Sequence, residues 1–299
     1  MVRLRHIVGG LLLCLACTIA VSIFFAFSLL NPTQSCLFPS VTKGKIRYNS
    51  DWGSHQLALI VPFRDRFEEL LVFAPYMQNF LNEQKIKHKI FIINQVDQHR
   101  FNRASLINVG HLQSREECDY LAMHDIDLLP LNPALNYSYP EGGPFHIASP
   151  DLHPRYHYRT FVGGILLLTR EDFELVNGLS NKYWGWGLED DELYARMKKA
   201  KLNISRPKDI NTGQKNTFKH IHDTKKRKRD TARLYNQREA TRWRDHQTGL
   251  NTVQYRVVSK HKLMIDEASM TVINVELICN YTVTPWCDHK SVKSSKHRR

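Results

Sequence analysis

Two carboxylates follow a short apolar stretch near the middle of the chain. Asp125 and Asp127 come directly after the apolar residues 120–123. In an extended backbone their side chains point to the same side, because side chains alternate along a strand. Two carboxylates at the exit of a strand suit a divalent cation that is bound together with phosphate oxygens. The alternative is a turn in which aspartate side chains accept hydrogen bonds from backbone amides.

Two histidines further along the chain have the same spacing. His220 and His222 are separated by one residue and followed by Asp223. Neutral imidazoles and a carboxylate make a first shell for manganese that leaves positions for a diphosphate. A surface pair of histidines is the alternative, in a chain that has 15 of them. Asp127 together with both histidines predicts a metal site more specifically than either motif alone.

The segment 184–192 reads Trp-Gly-Trp-Gly-Leu-Glu-Asp-Asp-Glu. Four consecutive acidic residues repel one another unless they open a helix, bind a cation or lie in water. The glycines before them permit unusual backbone angles, and the tryptophans offer flat apolar surfaces of the kind that stack on a sugar ring. A mobile aromatic loop that leads into carboxylates suits a site that closes over a sugar donor. The alternative is a tryptophan-rich loop packed on the core before an acidic helix turn.

Strands that alternate with helices are expected to position these residues. Apolar runs predict six strands, at residues 57–61, 89–96, 120–123, 161–169 (broken by Gly163-Gly164), 255–259 and 270–277. Helical spacing predicts helices over 67–81 and around 104–112, and an acidic first turn with a basic last turn predicts a third over 189–201. This order favours a mostly parallel α/β sheet with helices on both faces. In such sheets ligands bind beyond the C-terminal ends of the strands.

The N-terminal region predicts a membrane anchor. No residue from Ile7 to Leu30 is charged, and a helix of that length is long enough to cross a hydrocarbon core of ~30 Å. Arg3 and Arg5 precede the run and the next basic residue is Lys43, so the N-terminus is expected in the cytoplasm. A cleaved signal peptide is the alternative, although its apolar core would span only ~7–15 residues. The predicted organisation is a cytoplasmic tail (1–6), an anchor (7–30), a luminal stem (31–55), a catalytic domain (56–289) and a basic flexible tail (290–299).

A luminal position makes the cysteines and the glycosylation sequons relevant. Four cysteines would face an oxidising compartment, in which disulfides persist: Cys36, Cys118, Cys279 and Cys287. Cys279 and Cys287 are close in sequence, and we expect them to close a short loop. No CxxC pair exists outside the apolar run, which argues against a cysteine-rich zinc module. Three N-glycosylation sequons begin at Asn136, Asn203 and Asn280.

Five segments together resemble the signature blocks of the β-1,4-galactosyltransferases. They read Val-Pro-Phe-Arg-Asp-Arg at 61–66, Phe-Asn-Arg-Ala at 101–104, Asp-Ile-Asp at 125–127, Phe-Val-Gly-Gly at 161–164, and Trp-Gly-Trp-Gly-Leu-Glu-Asp-Asp at 184–191. The resemblance covers residues 57–287. Within the family, Phe-Lys-His-Ile-His-Asp at 218–223 and Thr-Pro-Trp-Cys at 284–287 resemble the xylosylprotein branch. Most other branches have a methionine and a single histidine where this chain has His220 and His222.

The resemblance implies a Rossmann-like GT-A fold, UDP-galactose as donor, Mn²⁺ as cofactor, and inverting transfer to the 4-hydroxyl of xylose on proteoglycan core proteins in the Golgi. It implies Asp190 as general base and Asp127, His220 and His222 as metal ligands. The donor would contact Pro62, Phe63, Arg64, Arg66, Phe101, Arg103, Asp125, Trp186 and Glu189. The acceptor would contact Tyr156, Tyr158, Phe161, Trp186, Asp190 and Asp191. Phe161 stands where the family has a tyrosine, so it lacks a hydroxyl contact.

Other functions fit parts of the sequence. A catalytically silent sugar-binding relative would be free to lose the metal set and Asp190, which this chain keeps. A related transferase with a GalNAc or glucose donor, or a GlcNAc acceptor, remains an alternative because donor choice can depend on one pocket residue.

The formal net charge of +13 suggests nucleic-acid binding as one possible function, but the predicted membrane anchor argues against it. The anchor also argues against the basic run Lys225–Arg229 as a nuclear localisation signal. We expect this run to form a solvated helix face. The alternative is that it attracts acidic stretches of core proteins or of growing chains.

Overall fold

The computed structural model describes residues 52–242, 245 and 247–289. The predicted anchor, most of the predicted stem, Cys36 and the tail 290–299 lie outside these residues. Within the described part of the chain, no helix combines the length and the apolar character needed to cross a membrane.

Nine strands and five α-helices make up this part of the chain. The strands are β1 (Gln56–Phe63), β2 (Lys87–Gln95), β3 (Tyr120–His124), β4 (Leu128–Pro130), β5 (Phe145–His146), β6 (Ile165–Thr169), β7 (Phe218–His220), β8 (Tyr255–Ile265) and β9 (Ala268–Leu277). The helices are α1 (Phe67–Glu83), α2 (Arg103–Ser114), α3 (Arg170–Leu175), α4 (Glu189–Lys199) and α5 (Gln237–Ala240). Leu250–Thr252 and Pro285–Cys287 form short 3-10 helices.

Seven of the strands form one mixed sheet in the order β5-β6-β3-β1-β2-β9-β8. The four central strands β3, β1, β2 and β9 are parallel, whereas β6, β5 and β8 join by antiparallel pairing. The predicted mostly parallel, mixed sheet is therefore confirmed: its centre is parallel and its edges pair antiparallel. Strands β4 and β7 form a separate antiparallel pair, which lies beside the candidate site.

Apolar side chains cover both faces of the sheet. Helix α1 packs on one face through Leu70, Phe73 and Met77, which recur at helical spacing because they share one side of the helix. Helix α2 packs on the opposite face. A Cβ atom at Gly110 of α2 would lie 2.4 Å from the Ile60 side chain of β1, so the helix lies close against the sheet. Two buried clusters, one on each face, thus fix the strand ends that carry the site.

Two predicted strands differ in length from the observed ones. The strand predicted over 161–169 begins only at Ile165, because Gly164 turns the chain with a φ of +76° and Phe161 leaves the sheet. The strand predicted to end at Ser259 continues to Ile265 and returns through a tight turn at Asp266, whose φ is 51°. A turn this short joins only antiparallel strands, which explains the antiparallel edge at β8.

The structure describes three of the four cysteines predicted to lie in the lumen and all three sequon asparagines. Cys279 and Cys287 form a disulfide with a Cα–Cα distance of 6.2 Å. Cys118 is a free, buried thiol. The three sequon asparagines, Asn136, Asn203 and Asn280, are all exposed.

Arg100 ties the connection between β2 and α2 to the C-terminal part of the chain. Its guanidinium is fully buried and donates to the Asp230 carboxylate at 2.6 Å and to the Gln237 side-chain oxygen at 2.8 Å. It also donates to the backbone carbonyls of Trp286, at 3.0 Å, and Ala232, at 2.7 Å. One side chain therefore satisfies acceptors in three separate segments.

We expect Arg100→Leu to lower the free energy of unfolding by about 3 kcal/mol. The change leaves the Gln237 side-chain oxygen and two backbone carbonyls without their donor, and each unsatisfied buried group costs about 1–3 kcal/mol. Chemical denaturation of the purified protein measures this loss. Arg256→Leu is the matched control because its partner Glu276 and its own side chain (68% exposed) face solvent, and exposed pairs contribute at most about 1 kcal/mol. An equal loss in both variants would contradict the prediction.

Candidate active site

A cavity of about 810 Å³ opens where β1, β2 and β3 end. Its wall contains nearly every residue that the sequence predicts for the donor, the acceptor and the metal: Pro62, Arg64, Arg66, Phe101, Arg103, Asp125, Asp127, Tyr156, Tyr158, Phe161, Trp186, Glu189, Asp190, Asp191, His220 and His222. This position agrees with the rule that ligands bind beyond the C-terminal ends of strands. Phe63 is the exception, because its side chain lies in the core and not in the wall of the cavity. Side chains alternate along β1, so Phe63 follows Val61 into the core on the α1 face.

Arg64 shapes one side of the cavity. Its guanidinium donates to the backbone carbonyls of His99, at 2.7 Å, and Gln95, at 3.2 Å. The same group lies 5.9 Å from the centre of the Phe101 ring. These contacts hold the loop between β2 and α2 so that Phe101 faces the cavity.

Arg103 joins two of the predicted carboxylates. It is the first residue of α2, which begins after the N-cap Asn102. Its Nε donates to Asp125 at 2.7 Å, and its Nη1 lies 3.8 Å from a Glu189 oxygen. Burial acts to lower the pKa of Arg103, but Asp125 and Glu189 raise it above its usual value. Both Nη atoms of Arg103 and Oε2 of Glu189 are buried without a hydrogen-bond partner, which leaves polar groups for a ligand.

Asp190 lies in the first turn of α4, between Glu189 and Asp191. Burial, and then the charges of Glu189 and Asp191, raise the pKa of Asp190 to about 7. A Cβ atom at Gly163 would lie 2.6 Å from an Asp190 carboxylate oxygen, so the glycine makes room for this side chain. A carboxylate with a pKa near neutrality is suited to accept a proton in general base catalysis.

Asp127, His220 and His222 converge beside the pair of strands β4 and β7. Asp127 Oδ2 lies 3.1 Å from His222 Nδ1, and Asp127 Oδ1 lies 3.9 Å from His220 Nε2. The pairing of Leu128 with His220 and a hydrogen bond from the Ile221 amide to the Asp127 carbonyl bring them together.

These three side chains have the chemistry of a metal site. Burial lowers the pKa of His220 to about 3 and also lowers the pKa of His222, so both imidazoles are neutral and able to bind a metal. Nδ1 of His220 and Nε2 of His222 are buried without a hydrogen-bond partner. Among the described residues, no three His, Cys, Asp or Glu side chains form a complete coordination shell. The residue types and the unpartnered nitrogens therefore fit a divalent cation, while ligation requires the side chains to reorient.

Aromatic rings form another part of the cavity wall. The Phe161 ring centre lies 5.1 Å from that of Tyr156 and 5.5 Å from that of Tyr158. Trp186 is next to them, with its ring centre 6.5 Å from that of Tyr156. Tyr158 also makes a hydrogen bond with Asp191. The wall offers flat apolar surfaces beside the acidic turn that contains Asp190.

The basic run that follows His222 also belongs to the site, which the sequence analysis did not predict. Residues 224–230 form turns and irregular chain, so the expected helix is wrong, although Lys225, Lys226 and Lys228 are exposed as expected. Arg229 lies 4.8 Å above the Trp186 ring and donates to the Tyr156 hydroxyl at 2.7 Å. Closeness in sequence to the metal-site histidines was the available signal, because Arg229 is only seven residues beyond His222 and an extended chain of that length spans at most about 25 Å.

Family models match the chain in two consecutive stretches. One, described as the N-terminal region of glycosyl transferase group 7, matches residues 21–140, and one described as the N-terminal domain of galactosyltransferase matches residues 143–221. The chain is 57% identical over 235 residues to β-1,4-galactosyltransferase 7 of Drosophila melanogaster, covering 78% of this chain and 73% of the relative. The chain belongs to the β-1,4-galactosyltransferase family. It is also 51% identical over 237 residues to the xylosylprotein 4-β-galactosyltransferase of Caenorhabditis elegans, covering 78% of this chain and 82% of the relative.

Solved structures of family members agree with this fold. The catalytic domain of Drosophila β-1,4-galactosyltransferase 7, crystallised with xylobiose, has a TM-score of 0.77 at 56% identity and covers 78% of this chain and 99% of that one. An Asp-to-Asn mutant of the Drosophila enzyme, in complex with manganese, UDP-Gal and xylobiose, has a TM-score of 0.78 at 56% identity and covers 79% and 99%. At this identity and TM-score, both share the fold of this chain over more than three quarters of its length.

Proposed function

We propose that this protein transfers galactose from UDP-galactose to the 4-hydroxyl of xylose on proteoglycan core proteins, with inversion and with Mn²⁺ as cofactor. The observation that carries the proposal is the meeting, in one cavity, of Asp190 and the group Asp127, His220 and His222. The Drosophila relative that binds manganese, UDP-Gal and xylobiose supports the donor, the cofactor and a xylose acceptor. The name of the C. elegans relative supports a xylosylated protein as acceptor.

The residues of the cavity account for the chemistry of an inverting transfer. Asp190 accepts the proton of the acceptor hydroxyl while that oxygen attacks the anomeric carbon of the donor. Asp127, His220 and His222 would hold Mn²⁺, which when bound stabilises the negative charge of the departing UDP. Arg66 lines the same end of the cavity and adds positive charge there. The metal-site side chains must reorient to bind Mn²⁺, and the fold then holds the base and the metal site in one cavity, which favours alignment of donor and acceptor.

The remaining residues are assigned by their position in the cavity, within a GT-A fold. We assign the donor to Pro62, Arg64, Arg66, Phe101, Arg103, Asp125, Trp186 and Glu189. We assign the acceptor to Tyr156, Tyr158, Phe161, Trp186, Asp190 and Asp191. Trp186 occurs in both sets because it belongs to the aromatic wall and comes shortly before the acidic turn in sequence.

A transfer assay with the purified protein tests the proposal. It compares a β-xyloside with a GlcNAc acceptor, with and without Mn²⁺, using UDP-galactose and then UDP-GalNAc and UDP-glucose. Metal-dependent galactosylation of the xyloside alone is expected. Transfer to GlcNAc, or from another donor, would contradict the assigned substrates, and folded protein that binds UDP without any transfer would contradict the activity.

The pKa of Asp190 predicts how the reaction depends on pH. A general base acts only when deprotonated, and the pKa of Asp190 is raised to about 7. We therefore expect kcat/KM for the xyloside to rise up to tenfold per pH unit below about 7 and to level off above it. Measurements at saturating Mn²⁺ separate this effect from loss of the metal. A rate that is constant from about pH 5 to 7 would contradict it.

We also propose that residues 7–30 anchor the protein in the Golgi membrane as a single-pass type II protein, with the catalytic domain 56–289 in the lumen. The uncharged apolar run and the basic residues Arg3 and Arg5 support this orientation. The exposed sequon asparagines and the disulfide are compatible with a luminal domain. Resistance to alkaline extraction, glycosidase-sensitive mass and protection from protease in sealed vesicles are expected. Release of the protein at alkaline pH would contradict the anchor.

A further inference from the structure

A single carboxylate connects the metal-site histidines to the basic run of the chain. Glu69 lies in the first turn of α1 and is buried, with 6% of its surface exposed. Its Oε1 accepts a hydrogen bond from Arg66 Nη1 at 3.1 Å and another from Arg227 Nε at 3.3 Å. Both arginines line the cavity, whereas Glu69 does not. Glu69 thus acts on the site only through its neighbours.

The first of these neighbours leads to the metal site. Arg66 Nη1 lies 3.2 Å from His222 Nδ1, and the same histidine nitrogen lies 3.1 Å from Asp127. A residue that holds Arg66 in place therefore also fixes the guanidinium next to His222, a proposed metal ligand. Such outer partners orient a metal-binding histidine and affect its affinity for the metal.

The second neighbour leads to the aromatic wall. Arg227 is two residues from Arg229, which packs against Trp186 and donates to the Tyr156 hydroxyl. The next residue, Asp230, accepts a hydrogen bond from the Trp186 amide at 2.8 Å. The basic segment (residues 223–233) is therefore held to α1 at Arg227 and to the Trp186 loop at Arg229 and Asp230.

Glu69 is charged despite its burial. Burial acts to raise the pKa of Glu69, but hydrogen bonds from Arg227, from its own backbone amide and from Arg66 lower it below its usual value. A carboxylate in the first helical turn is also favoured by the helix dipole. Without this negative charge, two arginines would face each other beside the metal site and repel. The neighbouring pair of Lys226 with Glu68 is different, because those side chains are 60% and 66% exposed and such pairs contribute little.

We propose that Glu69 is a positioning residue for galactose transfer, which holds the basic segment and the Arg66–His222 contact in the arrangement that the reaction needs. The inference rests on the proposed function, and it goes beyond it by assigning a role to a residue outside the cavity wall. It also explains part of the basic run: Arg227 and Arg229 each have a partner on the protein, so these two side chains serve to hold the segment in place.

The test compares Glu69→Gln with Glu68→Gln in the full chain. The two substitutions are identical in chemistry and adjacent in sequence, but only the first removes a buried charge. For Glu69→Gln we expect kcat to fall at least about tenfold with KM for UDP-galactose changed much less. We also expect trypsin to cleave within Lys225–Arg229 at least about tenfold faster, with Mn²⁺ and UDP present, because the segment opens more often. Glu68→Gln should match the parent protein in both measurements.

A double-mutant cycle separates positioning from general loss of structure. If Glu69 acts through Arg227, then Glu69→Gln combined with Arg227→Gln should be little worse than the more damaging single variant. Parent-like cleavage and kcat in Glu69→Gln would overturn the proposal, as would additive losses or a large fall in thermal stability that explains both effects. The cleavage measurement does not depend on galactose transfer, so failure of this inference can be told apart from failure of the proposed function.

Discussion

Asp190→Asn is expected to lower the rate of galactose transfer by about 10³-fold or more, because the amide cannot accept the proton of the acceptor hydroxyl. UDP binding should stay within about tenfold of the parent affinity, since Asp190 is placed with the acceptor and not against the nucleotide. Asparagine has nearly the same shape, so it fits beside Gly163, which leaves space for this side chain only because it lacks a Cβ atom. Steady-state rates with a xyloside and calorimetry with UDP measure the two quantities.

The fold should tolerate this change well. The pKa of Asp190 is raised from 3.8 to about 7 in the folded state, so ionising the group opposes folding, and that cost grows as the pH rises from about 4 to about 7 and stays at its full size above it. The neutral amide removes this cost, so Asp190→Asn should unfold at the same or a higher temperature than the parent at alkaline pH. Asp266→Asn, the same substitution at an exposed turn, should leave transfer unchanged. Loss of UDP affinity in Asp190→Asn, or transfer within about tenfold of the parent, would contradict the assigned role.

The central elements of the fold could be predicted because they are buried and periodic. Helix α1 shows its core residues at helical spacing, and strands such as β3 are apolar throughout. Strand β8 was predicted only up to Ser259, because it forms an edge of the sheet and most of its residues are exposed. Lys260, His261 and Lys262 have no apolar alternation, so nothing local marks them as a strand. Residues 260–265 form a strand because they pair with β9 across the turn at Asp266.

The residues of the site could be predicted where several of them share one short motif. Asp190 and its acidic neighbours follow one another, and so do His220 and His222. The contact between Asp127 and these histidines depends on β4 and β7, which have three residues each and are too short to show a period.

Two side chains lie where their motifs do not indicate, because a motif does not state the direction of a side chain. Phe63 lies within a matching block and points into the core. Arg227 lies in a run that reads as solvated, yet it pairs with the buried Glu69. Glu69 itself was not predicted, because a glutamate in the first turn of an amphipathic helix has an ordinary local explanation. Only the packing of α1 against the basic segment distinguishes it from Glu68.

The second large effect is expected at the proposed metal site. Asp127→Asn should weaken Mn²⁺ binding by about 100-fold or more, because mutation of even the outer partners of metal ligands lowers metal affinity by about 10–100-fold. The affinity for UDP should then no longer depend on Mn²⁺. The variant should fold normally, because the Asp127 backbone carbonyl still accepts the Ile221 amide. Burial raises the pKa of Asp127 to about 6, which shows that the charged form is costly there, and the neutral asparagine does not carry that cost. Electron paramagnetic resonance of Mn²⁺ and calorimetry of UDP with and without the metal measure the effect.

The control for this variant separates a lost ligand from a lost charge. Asp209→Asn removes the same charge at an exposed position whose φ of 56° asparagine tolerates well, and it should leave Mn²⁺ and UDP binding unchanged. If Asp127→Asn kept Mn²⁺-dependent UDP binding within about tenfold of the parent, the metal would be held elsewhere. The unpartnered nitrogens of His220 and His222 would then need another explanation. Because Asp127 is the only carboxylate within 4 Å of either histidine among the described residues, its loss removes the single anionic ligand of the proposed set.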